Sequence, residues 1–360
     1  MLAPETDVDF AKHIIEYDPD DPRTHAAWTI PSSENEALAR RNLQPIPWPR
    51  GLNPKPASTS APAPKQSDRL PACDVIVVTW TVAEARALAD ILTPGVSSDV
   101  WYRYAHLWDT YAPHIRAGAP ALEANRLGSY FPTAIGKHRV LCFKSELHMS
   151  QDGPRLPIRA LWKQIIEETG AGLVITTGTA GAIGASVKLG DVVMTRRARF
   201  DCLKSFRNEA FHSQSFSSAG AIPKTYLSVA AEKLLPVNAK QLPNGNGPLA
   251  LLDSPSTKVP DDTVVTTDFF AFDTANNEYE LQGLGAAVEM GDAVLGLVCA
   301  NDLKGRAPNW LAIRNASDPQ ISADLAPAEQ RKQAAQIYEK FGYWTTIGSA
   351  IATWAVIAGS

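Results

Sequence analysis

Short apolar runs alternate with amphipathic stretches from residue 74 onward, and this alternation predicts an α/β protein. Apolar runs bounded by turn residues indicate buried strands, whereas apolar positions repeated every three or four residues indicate helices. Strands are predicted at 75–78, 139–143, 173–176, 191–195, 286–288 and 310–315, and helices at 83–92, 156–169, 292–301 and 326–357. Because the two types alternate, we expect a single domain with a central mixed, largely parallel twisted sheet flanked by helices.

The first 71 residues lack this pattern and are predicted to form an irregular N-terminal extension, with the α/β domain at 72–360. Residues 44–71 are rich in Pro, Ala and Ser, and a short helix is predicted before them, at 32–42. Such a linker has no apolar core, so we expect it to add no strand to the sheet. Two interpretations remain open: a disordered leader, or an arm that Trp28 and Trp48 hold against its own domain or a neighbouring subunit.

Within the α/β domain, residues 202–265 are the stretch whose pattern predicts least. They carry clusters of Asn, Pro and Ser and are expected to be an insertion.

Composition and charge exclude several classes of function. The formal net charge is −4, so no general attraction to nucleic acid is expected. The four cysteines are scattered, and no His, Cys or carboxylate cluster has ligand spacing, so neither a metal nor another cofactor is predicted. The start of the chain does not resemble a signal peptide, and the apolar stretch 343–358 is short of a membrane span. We therefore expect a cytoplasmic enzyme with no membrane partner.

The most informative motif is Val174-Ile-Thr-Thr-Gly-Thr-Ala-Gly-Ala-Ile-Gly, which is followed by Lys188-Leu-Gly-Asp-Val-Val. The pattern predicts a buried strand, a Gly-rich turn and a second strand. Gly178 and Gly181 lack a Cβ, so the backbone can approach a ligand closely there. The spacing fits neither the dinucleotide-binding fingerprint nor a Walker loop. A tight turn without a ligand is the alternative interpretation.

Four motifs in this order resemble the nucleoside phosphorylase and nucleosidase superfamily. They are the opening strand and helix that begin at Val75, the Gly-rich segment, Val288-Glu-Met-Gly-Asp-Ala-Val, and Ile313-Arg-Asn-Ala-Ser-Asp. Within the superfamily, the chain looks most like the methylthioadenosine/S-adenosylhomocysteine nucleosidase branch. The resemblance implies an enzyme that cleaves the N-glycosidic bond of a small nucleoside and that forms a homodimer or a higher homo-oligomer.

The resemblance also implies three catalytic residues. Asp318 matches an acid that protonates the leaving purine, which requires a pKa raised by burial, and Ser317 is expected to orient it. Glu84 and Arg314 match a pair that holds the attacking water. By residue type alone, Asp318 before Pro319 is more typical of a turn, and Glu84 is typical of an acid that stabilises a helix N-terminus.

Further positions match substrate-binding residues of the superfamily. Phe270 matches a ring that stacks on the base, although a Phe-Phe pair is equally common in a core. His148 lies in a polar segment expected at the rim of the site; we interpret it as a solvated loop histidine, with contact to the 5′ side of the sugar as the alternative. The other positions expected at the substrate are Thr179, Ala180, Gly181, Glu289, Met290, Asp292 and Ser317.

Two departures from the superfamily's pattern leave alternatives open. The phosphorylases have an Arg where this chain has Thr176, and phosphate without a guanidinium partner is held weakly, so water is favoured as the nucleophile. Gly291 stands where the family has a Glu that grips the ribose hydroxyls. Asp292 reaches the sugar instead, or the substrate lacks or masks a hydroxyl, or the chain binds nucleosides without catalysis. We therefore expect a purine nucleoside N-ribosyl hydrolase, with a phosphorylase or a nucleoside-binding protein as alternatives.

Overall fold

The computed structural model describes residues 40, 42–59, 62–117, 119–149, 155–243, 263–269, 271–303, 305–322 and 324–360. Twelve strands within these ranges form one mixed sheet. They are β1 (Lys55–Pro56), β2 (Val75–Thr79), β3 (Tyr102–Tyr104), β4 (Gly128–Ile135), β5 (His138–Ser145), β6 (Leu173–Ala182), β7 (Val192–Thr195), β8 (Arg197–Asp201), β9 (Ser215–Ser217), β10 (Thr263–Thr267), β11 (Ala287–Glu289) and β12 (Asn309–Asp318).

The α-helices of the same ranges cover both faces of the sheet. They are α1 (Val82–Leu92), α2 (Trp108–Tyr111), α3 (Pro120–Ala124), α4 (Pro157–Thr169), α5 (Leu227–Val229), α6 (Asp292–Asn301) and α7 (Pro327–Gly359). On one face, α4 and α6 pack together over a buried cluster that includes Trp162; on the other, α7 packs on α1, β6 and β12 around the buried Trp354. Within the described ranges, no helix combines the length and the apolar character needed to cross a membrane.

Strand β6 is the centre of the sheet because it has three neighbours. Strand β2 runs parallel to the first four residues of β6, β12 runs parallel to almost its whole length, and β11 pairs antiparallel with its end. The order on one side is β1-β4-β5-β2, and on the other β11-β10-β8-β9. Since β2, β6 and β12 are parallel, their carboxyl ends meet at one edge, where open α/β sheets bind ligands.

The structure confirms the predicted fold class but corrects the prediction of a turn in the Gly-rich motif. Strand β6 does not turn after Thr176; it continues through both glycines to Ala182. The reason is long-range pairing, because β12 pairs with β6 as far as Gly181 and β11 pairs there from the other side. Partner strands thus satisfy the backbone hydrogen-bonding groups that a turn would otherwise have to satisfy locally.

The Pro-rich linker packs on the domain, so the expectation that it adds no strand is wrong. Strand β1 pairs antiparallel with Ala134 and Thr133 at the outer edge of β4. The ring of Trp48 lies 4.8 Å from that of Trp354, whose indole N–H donates to the carbonyl of Leu52 at 2.7 Å. Of the helix predicted at 32–42, Arg40 and Asn42 are helical; the rest of it and Trp28 lie outside the described residues.

The predicted insertion at 202–265 is described as far as residue 243 and from residue 263 onward. Its described part contains β9 and α5. The carboxylate of Asp268 holds the first residues of this segment in place. It accepts hydrogen bonds of 2.8–3.1 Å from the backbone N–H groups of Leu203, Lys204 and Phe206.

Because Trp48 is half-buried against Trp354, we predict that Trp48→Ala lowers the free energy of unfolding by about 1–2 kcal/mol. Urea unfolding of the full chain measures this change. Leu203→Ala is the matched control, because Leu203 is 52% exposed and its removal is expected to change stability by less than about 0.5 kcal/mol. Equal unfolding midpoints for Trp48→Ala and the wild type would show that the arm does not stabilise the domain.

Candidate active site

Glu84 lies at the sheet's carboxyl edge, in the first turn of α1, and a capping box positions it. The N–H of Glu84 donates to the side chain of Thr81, and Glu84 Oε2 accepts from Thr81 N at 3.0 Å, from Trp80 N at 3.0 Å and from Thr79 Oγ1 at 2.8 Å. The Thr-x-x-Glu sequence after a strand is typical of this motif. Glu84 Oε1 accepts from Thr179 N at 2.8 Å and from Thr179 Oγ1 at 2.7 Å.

Gly178 makes this arrangement possible because the carboxylate of Glu84 packs directly against it. A Cβ on Gly178 would lie 2.4 Å from Glu84 Oε1, and its φ of +147° is in the region that disfavours side chains. Both the close approach and the backbone conformation therefore require glycine.

Asp318 ends β12 on the opposite flank of β6 and packs in the same way against Gly181. A Cβ on Gly181 would lie 2.9 Å from Asp318 Oδ2. The hydroxyl of Ser317 lies 2.8 Å from Asp318 Oδ1 and 3.3 Å from the carbonyl of Ala180. A register shift in the pairing of β12 with β6, between Ala316 and Asp318, brings Asp318 opposite Gly181.

The two carboxyl groups have opposite pKa shifts. Burial raises the pKa of Asp318 to about 6, although the hydrogen bond from Ser317 works against the rise. Burial alone would also raise the pKa of Glu84, but the charge of Arg314 and hydrogen bonds from Thr81 and Thr179 hold that pKa below its ordinary value. One carboxyl group can thus hold a proton under conditions in which the other is fully ionised.

Arg314 is buried on β12 and is held by two carboxylates at the start of α6. Its Nε donates to Asp292 Oδ2 at 2.9 Å, and its Nη2 donates to Asp292 Oδ1 and, at 3.4 Å, to Glu289 Oε2. Burial alone would lower the pKa of Arg314, but Asp292 and Glu289 raise it. The guanidinium also lies 4.9 Å from the ring centroid of Trp80. Arg314 acts on Glu84 through its charge, which lowers the pKa of that carboxyl group.

Glu289 ends β11 and completes this cluster. Its Oε1 accepts hydrogen bonds from Thr266 Oγ1 and, at 2.9 Å, from Asp292 N. Burial and the neighbouring charge of Asp292 raise the pKa of Glu289 above its ordinary value. Met290 follows and is half-buried, while Gly291 caps the N-terminus of α6.

The structure therefore brings most of the sequence-predicted site residues to one edge of the sheet. Phe270 lies outside the described residues. The expectation that His148 is solvated is wrong: His148 is buried, and its ring meets that of Trp80 edge to face at 5.9 Å. Thr176 is fully buried, and its hydroxyl donates to the carbonyl of Leu311 at 3.4 Å. Across the described ranges, no group of three or more His, Cys, Asp or Glu side chains is placed to hold a metal ion.

Sequence reasoning missed two residues at this edge, Trp80 and Asp273. Trp80 follows β2 directly, so the apolar pattern gave it no role beyond the core. Asp273 accepts hydrogen bonds from Gly184 N at 2.8 Å, from Gln320 Nε2 at 2.7 Å and from Gln282 Nε2 at 3.1 Å. It thereby ties together three loops around Asp318, and no local sequence signal could have revealed contacts so distant along the chain.

A family model described as the phosphorylase superfamily matches residues 109–341. The comparison with curated proteins gives no match. Among solved structures, the chain is similar to 5′-methylthioadenosine/S-adenosylhomocysteine nucleosidases. For that of Helicobacter pylori, the identity is 13%, the TM-score is 0.49, and 80% of this chain and 99% of the other are covered. For that of Neisseria meningitidis, the identity is 18%, the TM-score is 0.46, and 79% of this chain and 99% of the other are covered.

The chain is also similar to the futalosine hydrolase of Helicobacter pylori strain 26695. The identity is 13%, the TM-score is 0.46, and 78% of this chain and 96% of the other are covered.

Because Gly178 lies against Glu84, we predict that Gly178→Ala lowers the free energy of unfolding by at least about 2 kcal/mol through steric overlap and backbone strain. Chemical denaturation measures the loss. Gly172→Ala is the matched control, since a Cβ there meets nothing within 4 Å. Equal stability of the two variants would contradict the close packing described here.

Proposed function

We propose that this chain, which belongs to the phosphorylase superfamily, is a purine nucleoside N-ribosyl hydrolase. The observation that carries the proposal is the pair of carboxyl groups with opposite pKa shifts at one edge of the sheet. Such a pair is typical of an acid and an anionic partner that work on the same reaction. Asp318 is the acid, and Glu84 is the ionised partner.

The chemistry requires an acid at the base and a nucleophile at the sugar. When the N-glycosidic bond breaks, the purine leaves with negative charge, and a proton from Asp318 lowers that barrier. Positive charge develops on the sugar, and the ionised Glu84 stabilises it and orients a water molecule for attack on C1′. The proton of Asp318 goes to the base, and the water supplies a hydroxyl to the sugar while it loses its second proton to solvent.

Glu84 accepts five hydrogen bonds, which is more than the roughly four lone-pair sites of a carboxylate. A water molecule must therefore replace one donor. The hydroxyl of Thr179 is the donor suited to this, because Thr179 is half-buried whereas Thr79 is fully buried. We propose that Thr179 Oγ1 turns towards the water and leaves Glu84 Oε1 to accept from it.

Two features support water over phosphate as the nucleophile. Thr176 is buried inside β6 and cannot reach an anion at the edge of the sheet. The ionised Glu84 would also repel a phosphate dianion placed beside it.

A nucleoside-binding protein without catalysis is the second candidate function. It is favoured by the five hydrogen bonds that Glu84 already accepts, because they leave no lone pair of the carboxylate for a water molecule.

The proposal extends to the setting in which the enzyme works. Superfamily membership supports a homodimer or a higher homo-oligomer in the cytoplasm, and the net charge of −4 argues against a nucleic-acid partner. We assign residues 72–360 to the catalytic domain, which includes the whole family match, and residues 1–71 to an extension whose segment 42–59 packs on that domain.

We predict that a purine nucleoside releases its free base and a free pentose in phosphate-free buffer. Chromatography of the products with and without phosphate measures this, and the rate is expected to be the same in both. Base release that requires phosphate and yields pentose 1-phosphate would make the chain a phosphorylase. Binding without base release would favour the second candidate.

Asp318→Asn is expected to lower kcat by at least about a hundredfold, the usual contribution of a general acid. Because Asp318 must be protonated and burial places its pKa at about 6, kcat/KM of the wild type is expected to fall as pH rises through that value. Asp302→Asn is the control, because Asp302 pairs with Arg159 and has no proposed part in the reaction. Near-normal turnover of Asp318→Asn would remove Asp318 from the mechanism.

A further inference from the structure

Asp273 is a buried carboxylate to which the proposed reaction gives no role. The residue is 2% exposed. Its Oδ2 accepts hydrogen bonds from the backbone N–H of Gly184 at 2.8 Å and from Gln320 Nε2 at 2.7 Å, and its Oδ1 accepts from Gln282 Nε2 at 3.1 Å. Its hydrogen-bond donors within the described ranges are all neutral amide groups. A buried network of this kind, when its members are satisfied, holds them in one arrangement.

The sheet restrains the end of β12 less firmly than the rest of that strand. The pairing of β12 with β6 ends where Asp318 lies opposite Gly181, and on its other side β12 pairs with β7 only as far as Asn315. Beyond this point the two chains are no longer paired, since β6 ends at Ala182 and β12 ends at Asp318. Backbone at such an end opens at a lower free-energy cost than backbone within the sheet.

Asp273 joins the two chains just beyond their last paired residues. Gly184 follows β6 and Gln320 follows β12, and the same oxygen atom of Asp273 accepts from both. The backbone carbonyl of Asp273 also accepts from the N–H of Ile321 at 2.9 Å. One residue therefore links the chain that leaves β6 to the chain that leaves β12.

We propose that Asp273 is a positioning residue for the general acid: it clamps the chain after β6 to the chain after β12 and thereby holds Asp318 against Gly181. Its own segment borders the same place, since a Cβ on Gly181 would lie 3.7 Å from the carbonyl oxygen of Ala271. This assignment rests on the proposed function, in which Asp318 protonates the leaving base. A general acid must stay within reach of the atom that it protonates, and a displacement of about 1 Å can lower the rate by about a hundredfold.

The clamp also keeps water away from Asp318. That residue is 6% exposed, and burial is what raises its pKa to about 6. If the clamp opens, water reaches the carboxyl group and its pKa falls towards the ordinary value of about 4. The midpoint of the Asp318 titration therefore reports on the clamp in the free protein, without any turnover.

Two glutamines provide a matched pair of variants. Gln320 and Gln282 are both half-buried, and both donate from Nε2 to Asp273. Gln320 lies on the chain that leaves β12. Gln282 instead ties Asp273 to its own loop, because its Nε2 also donates to the carbonyl of Thr274 at 2.9 Å. Gln320→Ala thus removes a link to Asp318, whereas Gln282→Ala removes an amide donor from the same carboxylate and leaves both strands untouched.

The test compares the wild type with Asp273→Ala, Gln320→Ala and Gln282→Ala. The kinetic measurement is kcat and KM for base release from a purine nucleoside. We expect kcat to fall by at least about tenfold in Asp273→Ala and by about three- to tenfold in Gln320→Ala, with KM within about twofold because neither residue is proposed to touch the substrate. For Gln282→Ala, both constants are expected to stay within about twofold of the wild type.

A ¹³C NMR titration of the aspartate carboxyl groups in the same four proteins provides the second measurement. The midpoint of Asp318 is expected to fall by about 1 pH unit in Gln320→Ala and to stay unchanged in Gln282→Ala. Equal kcat values and equal Asp318 midpoints in the two glutamine variants would overturn the proposal, because they would show that Asp273 only stabilises its own loop. This comparison decides the matter even if Asp273→Ala does not fold.

Failure of the proposed function is distinguishable from failure of the clamp. If the wild type releases no base, the proposed function fails, but the Asp318 midpoints can still be compared. A lower midpoint in Gln320→Ala alone would then support the clamp, and equal midpoints in the two glutamine variants would overturn it.

Discussion

The absence of a Cβ at two positions of β6 is the constraint on which the site depends. Gly178 admits the carboxylate of Glu84 from the β2 side, and Gly181 admits that of Asp318 from the β12 side. A larger residue at either position would overlap with a carboxylate oxygen. Because β2 and β12 both run parallel to β6, the two acids arrive at the same edge on rigid elements, as a preorganised site requires.

The distribution of positive charge then separates the two acids. Arg314 pairs with Asp292 and Glu289, and its charge lowers the pKa of Glu84. The pKa of Asp318 is governed by burial, which the hydrogen bond from Ser317 only partly offsets. Different surroundings thus give identical functional groups different protonation states.

Periodicity and the order of the motifs were enough to predict the fold class, because the alternation of strands and helices is a local property. The course of β6 through its glycines could not be predicted, since distant strands decide it. The same holds for the docking of Trp48 on Trp354 and for the burial of His148, which depend on contacts between remote segments. Trp80 was missed because an aromatic residue after a buried strand is usually core.

The central claim is that the pKa of Asp318 is raised to about 6 while that of Glu84 is lowered, so that Asp318 keeps its proton in slightly acidic solution in which Glu84 is ionised. Its most direct test is a ¹³C NMR titration of protein labelled at the aspartate carboxyl carbons, with the Asp318 signal assigned by its loss in Asp318→Asn. The account predicts a midpoint at pH about 6. A midpoint at or below about 4, the value of an unperturbed aspartate, would contradict it.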